Sequence, residues 1–147
     1  MSKNCNFRQL LGRHQLRPTV LRLRVLEVLG AASQALPAKK ILELIRAQRQ
    51  VNKVSIYRIL GDFCRCGIIR KVNPEARSTF YELACEHHPP HPHFQCRNCG
   101  EVQCLEGISL DRIQDELRRI IGTSAWRLEV RVEGICPKCQ ALKGHSE

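Results

Sequence analysis

At 147 residues, with 43% hydrophobic and 26% charged residues, the chain has room for one or two small domains around modest cores. No apolar run approaches the ~18 residues of a membrane span, and the opening MSKNCNFRQLLGRHQLRP lacks a signal peptide's apolar segment, so a cytoplasmic protein with no membrane association is expected. The formal charge of +10, from 24 Lys+Arg against 14 Asp+Glu, points to a polyanionic partner, and nine cysteines in a reducing compartment point to metal ligation rather than a disulfide framework.

The N-terminal residues around Cys5 are expected to be mobile. The stretch 19–32, TVLRLRVLEVLGAA, then repeats apolar residues at Leu21, Val25, Val28 and Leu29, the spacing of an amphipathic helix. Residues 37–50 do the same with Ile41, Leu44 and Ile45, and Pro37 suits a first helical turn. Over 52–67 the residues Ile56, Ile59, Leu60 and Phe63 share one helix face, and Gly67 is placed to stop the helix. Two β-rich runs, IIRKV and STFYEL, flank the turn-forming NPEAR as a hairpin. Three helices followed by a hairpin is the element order of a winged helix-turn-helix.

The proline-broken HHPPHPH at 87–93 cannot be helical, because each proline removes a donor and restricts its predecessor. A domain boundary is therefore placed near residue 85, giving domains 1–84 and 85–147. The second half begins with a cysteine-rich stretch, then a strand-like EVQCL and a helix over 108–121. A run over 125–135, with Leu128, Val130 and Val132 on one face, reads as a half-buried strand leading into Cys136.

A helix in the major groove reads base edges with the face opposite its core stripe. For the 52–64 helix that face carries Val54, Tyr57, Arg58 and Gly61. Tyr57 suits a thymine methyl or sugar, Arg58 a phosphate or guanine, and Ser55 near the helix start a phosphate. Arg13, Arg17, Arg22 and Arg24 around the first long helix suit phosphate contacts, which position without specifying. Arg70, Lys71 and Arg77 on the hairpin suit the DNA backbone or minor groove. Against this stands the plainer reading that Tyr57 covers the core and the arginines are solvated.

CRNC at 96–99 and CPKC at 136–139 are two C-x-x-C pairs, and together they complete a closed four-cysteine zinc site of structural type. The gap between them holds a strand–helix–strand unit, so this zinc would tie the end of a sheet to its beginning. Left over nearby are Glu82, Cys85, Glu86, His87, His88, His91, His93 and Cys104. His91 and His93 alternate in an extended HPH and so point the same way. Two imidazoles with two thiolates make a tetrahedral set better suited to zinc than to iron or manganese. Cys5, Cys64 and Cys66 are read as non-ligands.

In order and spacing, LRPTVLRLRVLEVL, VSIYRIL, STFYEL, HPHFQCRNCGEV and GICPKC resemble the motifs of the ferric uptake regulator family, from about Leu16 to Cys139. The resemblance implies an α+β chain: an N-terminal winged-helix DNA-binding domain and a small C-terminal α/β dimerisation domain. It further implies a homodimeric repressor that binds AT-rich palindromic double-stranded DNA. It implies structural zinc at Cys96, Cys99, Cys136 and Cys139, and a regulatory metal between the domains. His91 and His93 match the motif's histidines, Glu82 matches a wing-strand carboxylate used by many members, and Cys104 stands where relatives commonly place a glutamate.

Departures from the family pattern bear on the metal. SQALPAKK, before the second helix, offers no histidine, Pro92 replaces an aspartate of iron-type members, and no histidine occurs around Leu128, so a third, oxygen-rich site is not expected. Cysteine-containing regulatory sites resemble those of the zinc-uptake branch, which carries a cysteine just after the wing strand, near Cys85. The expectation is one structural and one regulatory zinc ion per chain, the latter held by Cys85, His91, His93 and Cys104, with Glu82 as alternative ligand. An iron- or peroxide-responsive member is the rival within the family. A zinc hydrolase or nucleobase deaminase is disfavoured because the sole H-x-E, HSE at 145–147, follows CPKC instead of preceding it. Thiol-redox chemistry is disfavoured because neither C-x-x-C lies in a thioredoxin-like setting.

Overall fold

In the computed structural model, which describes residues 5–72, 78–123 and 128–144, helix boundaries in the first half follow local capping chemistry. Helix α1 (Phe7–Arg13) starts where the Asn6 side chain accepts from the Gln9 N–H, and α2 (Val20–Ala31) where the Thr19 hydroxyl accepts from the Arg22 N–H. After the short strand β1 (Leu36–Pro37) come α3 (Ala38–Arg46) and α4 (Lys53–Cys66). Asn52 caps α4 by accepting from the Val54 N–H at 2.9 Å. Gly67 ends it at φ +76°, where the Gly67 and Ile68 N–H groups bond back to the carbonyls of Cys64 and Phe63.

The apolar stripe of α4 is buried as its period requires: Ile56, Ile59, Leu60 and Phe63 are all 8% exposed or less. They meet Val25, Leu26 and Leu29 of α2 and Ile41, Leu42 and Ile45 of α3 in one core. Helix α3 is shorter than the expected 37–50. Its buried residues end at Ile45 and residues 46–50 are all exposed, so no burial holds a further turn. Pro37 lies before the helix, at the sheet edge, where its missing N–H costs no ladder bond. Cys5 is not in a featureless tail: α1 directly follows, Leu11 is fully buried, and Phe7 and Leu10 pack against the core.

Strands β2 (Ile69–Val72) and β3 (Phe80–Leu83) form the expected hairpin arms, with β1 on the other edge of β3 in an antiparallel sheet of order β1-β3-β2. Register sets Arg70 opposite Glu82, and the two side chains form an ion pair. The turn NPEAR at 73–77, Arg77 with it, lies outside the described residues. Helix–helix–helix–hairpin over one core is the winged-helix arrangement.

The chain divides into two compact units, Met1–Pro89 and Pro90–Glu147, inside the proline-rich segment. The second unit contains β4 (His93–Cys96), β5 (Val102–Cys104), α5 (Asp111–Ile121), β6 (Arg131–Gly134) and α6 (Pro137–Lys143). Its sheet has the order β5-β4-β6, with β4–β5 antiparallel and β4–β6 parallel. The expected 125–135 strand is realised over 131–134. Residues 124–127 lie outside the described residues, as does the HSE at 145–147. Gly134 lies against the Phe94 ring, which a Cβ there would approach to 3.1 Å. Among the described residues of this unit, one buried cluster is largely sulfur: Cys96, Cys136 and Cys139, with Phe94 and Ile135 beside them.

Candidate metal centres and nucleic-acid face

The parallel pairing of β4 with β6 accounts for the four-cysteine cluster. Cys96 is in register with Gly134, so both strands end at the same edge of the sheet and each delivers its C-x-x-C there. After Cys96 the chain turns back through Gly100 at φ +77°, whose N–H bonds to the Cys96 carbonyl at 2.9 Å, and this knuckle presents Cys99. After β6, Cys136 precedes Pro137 at the start of α6, and Cys139 follows in its first turn. All four sulfurs lie within 4.8 Å of one another, and the Cys136 N–H donates to the Cys96 sulfur at 3.3 Å.

That N–H, with the backbone N–H of Cys99, lowers the Cys96 thiol to about 6, against burial. At Cys99 the Glu101 N–H favours the thiolate, yet the hydrogen bond with Cys96, burial and the Cys139 and Cys136 sulfurs outweigh it and push the thiol up to about 12. Four crowded sulfurs cannot all ionise without a cation among them, and four thiolates in tetrahedral reach fit zinc.

The antiparallel pairing of β4 with β5 builds a second cluster. His93 is directly opposite Cys104, so both side chains project from the same face of the sheet. The Leu105 N–H bonds to the Pro92 carbonyl at 2.9 Å, extending the ladder past His93 towards His91. The His91 and His93 rings are 4.6 Å apart centre to centre, His93 is buried, and ligand atoms of His91, His93 and Cys104 lie within 4.8 Å of one another. Glu82, on β3 of the first unit, is 8% exposed and paired with Arg70.

Cys85 belongs to a third group, which sequence reasoning did not find. Its sulfur lies 3.3 Å from that of Cys5 and 3.1 Å from His88 Nδ1, all within the first unit. Cys64 and Cys66 pack against the first unit's core. Burial raises the Cys64 thiol above its ordinary value, which suits a packing residue.

On the outer face of α4, Val54 is 61% and Tyr57 43% exposed, Arg58 is exposed, and Ser55 is half-buried at the helix start. The Lys53 ammonium stands 5.5 Å from the centre of the Tyr57 ring, so its charge belongs to the same surface. Arg13 and Arg17 are exposed, although Arg13 reaches Glu86 at 3.4 Å. Arg22 is more committed: its guanidinium donates to the Arg17 carbonyl at 3.2 Å and pairs with Asp62 of α4 at 3.6 Å. Arg24 pairs with Glu27 of its own helix. No described helix is long and apolar enough to cross a membrane.

A winged-helix unit with an exposed, basic α4 face, in one chain with a unit carrying four-thiol and imidazole–thiol clusters, defines a metal-binding transcription regulator. Residues 13–132 match the model of the ferric uptake regulator family. The chain belongs to that family, whose members are transcription regulators and not enzymes. A ferric uptake regulation protein of Vibrio cholerae is 34% identical over 104 residues, covering 69% of this chain and 68% of its own. The crystal structure of the Vibrio cholerae ferric uptake regulator matches with a TM-score of 0.71 at 27% identity, covering 89% of this chain and all of that one. A zinc uptake regulator complexed with zinc and DNA matches with a TM-score of 0.60 at 26% identity over 94% of this chain and 93% of its own.

Proposed function

We propose that this chain is a zinc-responsive, homodimeric repressor. Zinc at Cys96, Cys99, Cys136 and Cys139 holds the second unit together. A regulatory zinc at His91, His93 and Cys104 governs binding to an AT-rich palindromic operator in the cytoplasm. The observation that carries the zinc reading is the Cys104 thiol opposite His93 and close to His91. A thiolate among imidazoles favours a borderline-soft d¹⁰ ion over the harder ions that prefer oxygen. Cys85 is not counted among these ligands, because it is engaged with Cys5 and His88.

The zinc uptake regulator captured with zinc and DNA supports this reading, and the ferric uptake names of the curated relatives support an iron-responsive one. Support for the homodimer comes from apolar surface on the second unit: Ile113, Ile120 and Ile121 of α5 and Val132 of β6 are 42% to 81% exposed. DNA contacts are assigned to Ser55, Tyr57 and Arg58 of α4, with Arg13 and Arg17 on phosphates and Arg22 bracing α2 against α4.

Zinc, when bound, neutralises the thiolate and ties its ligands into one arrangement. If that arrangement is the DNA-competent one, zinc and DNA raise each other's affinity by the same factor, typically about 5–150-fold. The test is a fluorescence-anisotropy titration, at buffered free zinc, of a duplex selected from a random pool. Cys104→Ser should remove the zinc dependence of binding while leaving the dimer folded; an unchanged zinc dependence would falsify the assignment.

A further inference from the structure

Among its described residues, the first unit holds a cluster of soft ligands that neither proposed zinc site uses. Cys85 lies just beyond β3, where the Ala84 N–H still bonds to the Ile68 carbonyl, and its side chain packs against the core. The chain then turns, with the His88 N–H donating to the Cys85 carbonyl at 2.8 Å. This turn brings His88 Nδ1 to 3.1 Å from the Cys85 sulfur. Arg70 fixes the far side of the turn by donating to the carbonyls of His88 and Pro89 at 3.0 and 3.1 Å. The remaining sulfur comes from Cys5, eighty residues away in sequence, at 3.3 Å from Cys85 and 4.0 Å from His88 Nδ1. Its place is set by α1, which begins two residues later and is anchored by the fully buried Leu11.

We propose that Cys5, Cys85 and His88 form a further binding site for a borderline-to-soft d¹⁰ cation, with zinc as the reference ion. Tetrahedral zinc with thiolate and imidazole ligands sets sulfurs roughly 3.8 Å apart and sulfur–nitrogen pairs roughly 3.6 Å apart, as follows from the ordinary Zn–S and Zn–N distances. The sulfur–nitrogen separations of 3.1 and 4.0 Å lie on either side of the second value, and the sulfur–sulfur separation of 3.3 Å is about 0.5 Å short of the first, so modest side-chain rotations would suffice. The sulfurs are well beyond the ~2.05 Å of a disulfide bond.

All three residues are partly buried, which keeps the ligands ordered and leaves one side accessible. That side is a cavity of about 290 Å³ bordered by Cys5, Cys85, His14, Glu86 and His87, with room for a water molecule as fourth ligand. Three protein ligands and an accessible position suit an exchangeable ion rather than a permanent one. Because Cys5 directly precedes α1, an ion there joins α1 to the end of the hairpin. Metal at this site therefore stabilises the unit that carries α4.

The test is elemental analysis of the full chain after equilibrium dialysis at fixed, buffered free zinc, for wild type, Cys5→Ser, His88→Gln, Cys104→Ser and the Cys5→Ser/Cys104→Ser double variant. Cys5→Ser and His88→Gln should each lose one zinc per chain, and the double variant should lose two. Cys5→Ser should melt as wild type does in the absence of added zinc, and His88→Gln gives the same readout should it not. Zinc content in both variants equal to wild type overturns the site. So does a Cys5–Cys85 disulfide found by peptide mapping of the zinc-loaded protein. If Cys104→Ser alone retains full zinc while Cys5→Ser loses one, the regulatory assignment fails and this one stands.

Discussion

The two ends of β4 carry two kinds of candidate metal-ligand set, and their difference follows from the direction of the neighbouring strand. At the C-terminal end, the parallel neighbour β6 runs out alongside β4, so two similar C-x-x-C turns meet and contribute identical sulfurs. At the N-terminal end, the antiparallel neighbour β5 returns a single cysteine opposite His93, and the donor set is mixed. The first arrangement supplies four ligands from two tight turns and is part of the unit's buried interior. The second supplies three donors from this unit, two imidazoles and one thiol. A closed, uniform site suits permanence, whereas an incomplete, mixed one suits response.

The largest effect expected is at the closed end. Cys139→Ser should abolish the folding transition of the second unit, because the four-cysteine cluster is part of its buried interior and metal binding there would contribute directly to folding. Circular dichroism and calorimetry would show it, and a wild-type melting profile with one zinc lost would place the cluster outside the folding energetics. At the other end, His93→Ala should leave the fold intact and weaken zinc activation of DNA binding by at least the ~10–100-fold that loss of even an outer-shell partner costs. Loss of folding in that variant would erase the contrast between the two ends.

Smaller effects are expected in the first unit, where no metal is needed to form the core. Arg58→Ala should weaken DNA binding by about 1–3 kcal/mol if its guanidinium reads a base. A uniform loss across sequences, with a shallower salt dependence, would mark it as a phosphate contact instead. Asn52→Ala should cost about 1 kcal/mol of stability through loss of the cap at Val54, read as a lower melting temperature with zinc content unchanged.

What could be read from the sequence follows the range of the interactions involved. The α4 stripe and the Gly67 stop were legible because helix period and a left-handed cap are local properties. The C-x-x-C pairs were legible because their chemistry is written in their spacing. The length of α3 was not, since the pattern of polar residues after Ile45 does not say where packing ends. Helix α1 was missed because seven residues do not hold a helix alone; burial of Leu11 does that, and it depends on the rest of the unit. The available signal was Asn6 as a cap ahead of Phe7, Leu10 and Leu11 at helical spacing. With α1 missed, Cys5 had no fixed position, and its approach to Cys85 and His88 was beyond any local pattern.

The zinc reading is tested most directly by comparing ions. The selected duplex would be titrated with the full-length protein under anaerobic conditions, with zinc, ferrous iron and manganese each buffered across a range of free concentrations. Zinc should activate binding at the lowest free concentration by orders of magnitude, and Cys104→Ser should lose that preference. Activation by ferrous iron or manganese at concentrations where zinc has no effect would contradict the account.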